Sequence, residues 1–244
     1  MELIWKLSDS DISRIIDFVK KHKNPDVEKI INKNINHVDR VIDKDSLLKA
    51  MLICLMSSET DSYPESKMEQ IFNKKPFLLS CQYLFKVSNI ELAFQETFKA
   101  TGVTKYLKKV PRYFSTNFES LVETNWDLES EINRSLGNEL TKYDERKLAD
   151  MVDRSFKGFG SKEARSFLLA LGVTKYEIPI DYNLLRWLKN FDFPIKFSKI
   201  ALQDILFYHF VSDGIEKLCE ISEIYPCVLY ASIISSYEIA EITQ

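Results

Sequence analysis

Apolar residues return every three or four positions along most of this chain, as in SLLKAMLICLM, DLESEINRSL and RKLADMVDRSF, and strand-like alternation is scarce. That period places apolar side chains on one face of an α-helix, so the chain is predicted to be all-α. Pro25, Pro64, Pro76, Gly102, Gly137, Gly172, Pro179, Pro194, Gly214 and Pro226 fall between the periodic segments, which predicts about a dozen helices. Asp9 or Ser10, Asp45 or Ser46, Thr141 and Asp181 precede such segments and are predicted to cap them. The string GVTKY stands at 102–106 and again at 172–176 with unlike flanks, which reads as coincidence at two turns rather than a repeat.

With 244 residues, 45% of them hydrophobic, the chain is long enough for one or two helical cores. Its net charge of −3 excludes a strongly basic, non-specific nucleic-acid binder but leaves room for a local positive surface. Cys54, Cys81, Cys219 and Cys227 form no Cys-x-x-Cys pair and are joined by three histidines, so neither a zinc site nor an iron–sulfur cluster is expected, and the thiols are expected buried and reduced. MELIWKLSDSD lacks the apolar core of a signal peptide and no stretch reaches a membrane span, so a soluble intracellular protein is expected, cytoplasmic, or nuclear in a eukaryote.

Six glycines serve the whole chain, and two of them lie close together in FKGFGSKEARSFLLALGVTKYEIPID, which starts at Phe156. Gly158 and Gly160 suit a tight turn whose bare N–H groups face a ligand, and the helix that follows adds the positive end of its dipole, which favours an anion such as phosphate. Lys157 reinforces that charge; an ordinary helix connection with a C-cap glycine is the plainer alternative. On the helix opening near Ser161, Ala164, Phe167, Leu168 and Leu171 form the inward stripe, while Lys162 and Ser166 project from the opposite face. A lysine in a first helical turn is disfavoured as a cation, and Lys157 and Arg165 add to that if they lie close, so Lys162 is a candidate nucleophilic amine as well as a candidate solvated surface lysine. Further on, Pro179 holds Ile178 extended and Asp181 stands where the next helix needs a cap, a position from which a fixed carboxylate stabilises a developing positive charge.

Gly158-Phe159-Gly160-Ser161-Lys162-Glu163-Ala164, followed by IPID with Asp181 19 residues after Lys162, resembles the helix-hairpin-helix and Gly/Pro-Asp signature of the endonuclease III and 8-oxoguanine DNA glycosylase superfamily. AMLICLMSSETDS, from Ala50 to Ser62, resembles the family's apolar helix ending in Leu-Ser-x-Gln-Thr, which would bring Ser58 and Glu59 to the DNA. Glu59 stands where glutamine is usual, and a carboxylate there is repelled by the DNA backbone. TGVTKYLKKVPRYF resembles the family's basic helix start, with Lys105, Lys108, Lys109 and Arg112 and no acidic residue from Lys99 to Phe114. The matches cover about residues 40–235 in family order. The absence of the cluster ligands points to the 8-oxoguanine branch, although Asn183 replaces the histidine common two residues after the aspartate.

The resemblance implies two helical lobes with the hairpin at the cleft between them: a six-helix barrel lobe over 42–176, and a second lobe from 1–41 and 177–244. It implies a monomer acting on duplex DNA that contains a damaged base, an oxidised purine such as 8-oxoguanine. Lys162 would attack the sugar of a flipped-out nucleotide and form an imine before β-elimination, with Asp181 stabilising the charge and Lys157, Gly158, Phe159, Gly160 and Ser161 holding phosphate. No iron–sulfur cluster or other cofactor is implied, beyond a monovalent cation at the hairpin. Ser166 is the candidate pocket wall. Trp187, Phe207 and Tyr230 are expected in the core, with base stacking as the alternative. Two other readings stand beside this one: a DNA-binding module without chemistry, and a monofunctional glycosylase in which Asp181 activates water.

Overall fold

The computed structural model describes residues 5–36, 41–57, 71–72, 74–103, 108–136, 138–195, 198 and 200–242. Among them the chain is all-α, with 12 helices and no strand. In chain order these are α1 (Asp9–Lys21), α2 (Pro25–Asn34), α3 (Lys44–Ser57), α4 (Cys81–Leu84), α5 (Ile90–Ala100), α6 (Val110–Glu123), α7 (Asp127–Leu136), α8 (Lys142–Ser155), α9 (Ser161–Leu171), α10 (Tyr182–Asn190), α11 (Ile205–Ile221) and α12 (Pro226–Ile242). No single helix among the described residues is long and apolar enough to cross a membrane; α11 and the start of α12 are together apolar but bend by 97° at the break between them.

Two compact units result. The first comprises Met1–Val38, Leu140–Ala149 and Gly172–Gln244, and the second Asp39–Glu139 and Asp150–Leu171. These bounds stand beside the 42–176 and 1–41 plus 177–244 implied by the resemblance, and the difference is largest at 140–149, which belongs to the first unit.

Each unit is built on a helix that is apolar on nearly every side, the pattern of a helix surrounded by others. In the second unit that helix is α3, whose Leu47, Leu48, Met51, Leu52, Leu55 and Met56 are buried and which packs against α9, α6 and α4. In the first unit it is α12, packed against α2, α10, α1 and α11. Their neighbours carry the narrower stripe expected of surface helices; on α9, Ala164, Phe167, Leu168 and Leu171 are all buried as read from sequence. Phe94, Phe98 and Phe114 fill the seam between α5 and α6, with Phe94 stacked on Phe98 at 4.3 Å between centroids.

Helix starts fall close to the predicted caps, with local shifts. Ser8, rather than Asp9 or Ser10, caps α1 through a capping box with Asp11. Asp43, rather than Asp45 or Ser46, accepts from the Ser46 N–H at 2.7 Å, which leaves Asp45 to accept from the Cys81 N–H at 2.7 Å. Thr141 and Asp181 cap α8 and α10 as predicted. Gly102 and Gly172, the two glycines of the GVTKY strings, both take positive φ just past a helix end, where a Cβ is disfavoured. Cys54, Cys219 and Cys227 are buried free thiols; Cys81 is partly exposed, because it opens the short surface helix α4.

Candidate active site

α8 ends at Ser155 and α9 begins at Ser161, so Phe156–Gly160 makes the connection. Gly158 has φ of +82°, which disfavours any residue with a Cβ; Gly160 has no such value and matters less for the turn than the sequence pattern suggests. The turn lies close beneath α6. A Cβ on Gly158 would stand 2.5 Å from Cδ2 of Tyr113, and Asn117, 1% exposed, clamps Lys157 from both sides. The Lys157 N–H donates to Asn117 Oδ1 at 2.7 Å, and Asn117 Nδ2 donates to the Lys157 carbonyl at 3.0 Å. The Lys157 side chain itself is exposed.

Phe159, expected at the DNA, turns back into the protein, its ring 5.1 Å from that of Phe156 and 5.8 Å from that of Phe167. Ser161 is also inward: it is 9% exposed and its hydroxyl donates to Asp153 at 3.0 Å. Arg165 is the residue that would add positive charge at Lys162 if the two lie close. It is fully buried instead, donating to Asp150 at 3.1 Å and to the Ser161 carbonyl at 3.2 Å, so much of its charge is compensated within the second unit.

Lys162 keeps its side chain 32% exposed, and its Nζ lies 2.9 Å from Oε1 of Glu163, whose side chain is 13% exposed. Glu163 is the acidic residue of the first turn of α9, where a carboxylate complements the helix dipole. Its Oε2 also lies over the turn, 3.4 Å from where a Cβ on Gly160 would be. The pair sits near the Cys54 thiol of α3, which burial pushes far above the usual range. Ser166, one turn along α9, is half-buried.

Asp181 belongs to the first unit and Lys162 to the second. As N-cap of α10, Asp181 accepts from the Leu184 N–H at 2.9 Å through Oδ1, while Oδ2 accepts from the Tyr230 hydroxyl at 2.7 Å. Tyr230 is therefore a positioning partner of Asp181. Trp187 is buried as expected and Phe207 half-buried. Trp187 stacks on Phe191 at 4.8 Å and, with Arg14, Phe18, Phe191 and Tyr237, lines an open pocket of about 530 Å³ in the first unit. Asp181 is not part of its lining.

Of the candidate DNA contacts, Ser58, Glu59 and Lys105 lie outside the described residues. Lys108, Lys109 and Arg112 are exposed around the start of α6, which has no side-chain cap and no acidic residue in its first turn. No group of three or more His, Cys, Asp or Glu side chains suited to a metal ion occurs among the described residues.

Asn117 and Tyr113 were missed, and Tyr230 was read as a core or base-stacking aromatic rather than as the partner of Asp181, because their partners lie tens of residues away in sequence. Glu163 was legible as an acidic first-turn residue, but helix neighbours point about 100° apart, which gave no reason to pair it with Lys162. Comparison with protein-family models, curated proteins and solved structures finds no match to this chain.

Proposed function

We propose that the chain is a base-excision DNA glycosylase with abasic-site lyase activity, acting on a flipped-out oxidised purine of the 8-oxoguanine kind through an imine at Lys162. The observation that carries this reading is the glycine turn. A positive-φ glycine, preceded by Lys157 whose backbone Asn117 clamps to α6, leads into a helix whose first turn presents a partly exposed lysine amine. The same α6 carries Lys108, Lys109 and Arg112 at an uncapped N-terminus, so a basic surface and the turn belong to one packed body. Such a surface suits the phosphates of one DNA strand, while the amine adds to C1′ of the extruded sugar. Asp181, held by a backbone N–H and a tyrosine hydroxyl, is a fixed carboxylate of the kind that stabilises a developing positive charge.

Borohydride trapping on duplexes containing 8-oxoguanine tests this. The wild-type protein is expected to form a covalent adduct, Lys162→Ala to form none, and Asp181→Asn to lose base release. The Lys162–Glu163 ion pair favours one rival reading, a monofunctional enzyme in which the paired lysine serves only to meet phosphate. In that case Lys162→Ala retains base release. A wild-type protein that binds the duplex but neither traps nor releases a base is a DNA-binding module.

A further inference from the structure

A protonated lysine cannot attack carbon: its lone pair holds the proton. Lys162 therefore needs an acceptor within hydrogen-bond reach of Nζ, and Oε1 of Glu163 lies there at 2.9 Å. The two carboxylate oxygens of Glu163 have different surroundings, Oε1 meeting the amine and Oε2 lying against Gly160. The Glu163 side chain is the more buried partner and the amine the more exposed one, which leaves the nitrogen open to a substrate while its proton acceptor sits behind it. Adjacent helix positions diverge by about 100°, so this contact is not given by helix spacing alone.

We propose that Glu163 is the proton acceptor that converts Lys162 into a nucleophile, an inference that rests on reading Lys162 as the attacking amine. The Lys162 ammonium gives one proton to Glu163 Oε1. The freed lone pair forms the Nζ–C1′ bond as the C1′–N bond to the base breaks, and that bonding pair leaves with the base. A second proton from Nζ neutralises the departing base. As the sugar ring opens, the C1′–O4′ electrons go to O4′, which takes the proton held by Glu163, and the nitrogen lone pair completes the protonated imine. Glu163 ends as the carboxylate it began as.

The surroundings of the pair offer little competition. Cys54 on α3 is a fully buried thiol that stays protonated at neutral pH. Asp153 on α8 accepts from Ser161, and Asp150 is engaged with Arg165. Tyr113 of α6 covers Gly158, and Lys157 is exposed to solvent.

The test is single-turnover borohydride trapping on a duplex bearing one abasic site, whose open-chain C1′ aldehyde takes up the same neutral amine with loss of water. Trapping is followed as a function of pH for wild type, Glu163→Gln and Glu163→Asp, with melting temperatures read alongside. Glu163→Gln is expected to trap about 10²-fold more slowly near neutral pH. The deficit is expected to shrink as pH rises and hydroxide takes over as proton acceptor. Glu163→Asp retains a carboxylate and is expected to keep the wild-type profile with a several-fold slower rate. A glutamine variant with the wild-type rate and profile overturns the role of Glu163 while leaving Lys162 as nucleophile. A wild-type protein that binds the abasic duplex without any Lys162-dependent adduct overturns both. If the glutamine variant does not fold, the aspartate variant decides alone: an unchanged rate overturns the proposal.

Discussion

Asn117 does more for the candidate site than any residue the sequence pattern singled out. Both of its amide functions are spent on the backbone of Lys157, and it is almost wholly buried, so its removal strands an N–H and a carbonyl beside the turn. Asn117→Ala is expected to cost about 1–3 kcal/mol in urea unfolding, the usual penalty for unpaired buried polar groups. The second unit uses the same device elsewhere: Asn133 accepts from the Ile42 N–H at 2.8 Å and donates to its carbonyl at 2.9 Å. A buried asparagine can mimic a peptide edge, which is why such clamps recur where a loop must be held against a helix. At this scale the candidate nucleophile and carboxylate were legible as candidates, from residue type, spacing and the family resemblance, and Asp181 also as a helix cap. The groups that orient them were not: nothing local distinguishes Tyr230 or Asn117 from other polar residues in apolar helices.

Among the elements, the helices were legible from periodicity and the capped starts from capping chemistry to within a residue or two, but Gly214, read as a break between segments, lies inside α11, where a Cβ would stand 2.6 Å from the Trp5 ring. The glycine turn was legible as a turn, but which of its side chains face outward was not. Phe159 follows the aromatic cluster with Phe156 and Phe167, and Ser161 follows Asp153, because packing and hydrogen bonding inside the unit outweigh the position of either residue in a motif. What remains outward is basic: Lys157 in the turn, and Lys108, Lys109 and Arg112 at α6. If this surface meets phosphates, the log–log salt dependence of duplex binding has a slope of about −0.9 per phosphate neutralised. Replacing Lys108, Lys109 and Arg112 together by glutamine is expected to flatten that slope by about 0.9 for each contact removed, as read by fluorescence anisotropy at several salt concentrations. An unchanged slope places the DNA elsewhere.

Over the whole molecule, the assignment of 140–149 to the first unit has a visible cause. Glu145, 1% exposed, accepts from the N–H groups of Lys175, Tyr176 and Glu177 at 2.9, 2.7 and 3.0 Å and is bonded to the Thr174 hydroxyl. Beside it Arg146 pairs with Glu177 and with Asp213, each at 2.7 Å. Burial raises the Glu145 carboxyl above its ordinary range, against the lowering effect of those hydrogen bonds. The folded state thus holds the proton more tightly than the unfolded chain. This contribution to stability is fully present below about pH 4.5 and is lost as pH rises through the folded-state value. Relative to Glu145→Gln, the wild type is expected to gain stability as pH falls through the folded-state value toward about 4.5, measured by thermal melts across pH. Glu145→Ala, which removes an acceptor shared by three backbone N–H groups, is expected to cost about 2–5 kcal/mol.

The backbone passes between the two units four times, at 38/39, 139/140, 149/150 and 171/172. Neither can be expressed as one uninterrupted fragment without carrying part of the other or losing part of itself. During synthesis the unit holding α12 must wait for that helix to leave the ribosome, long after α1 and α2 have emerged, so those two helices spend the interval without the helix that will cover them.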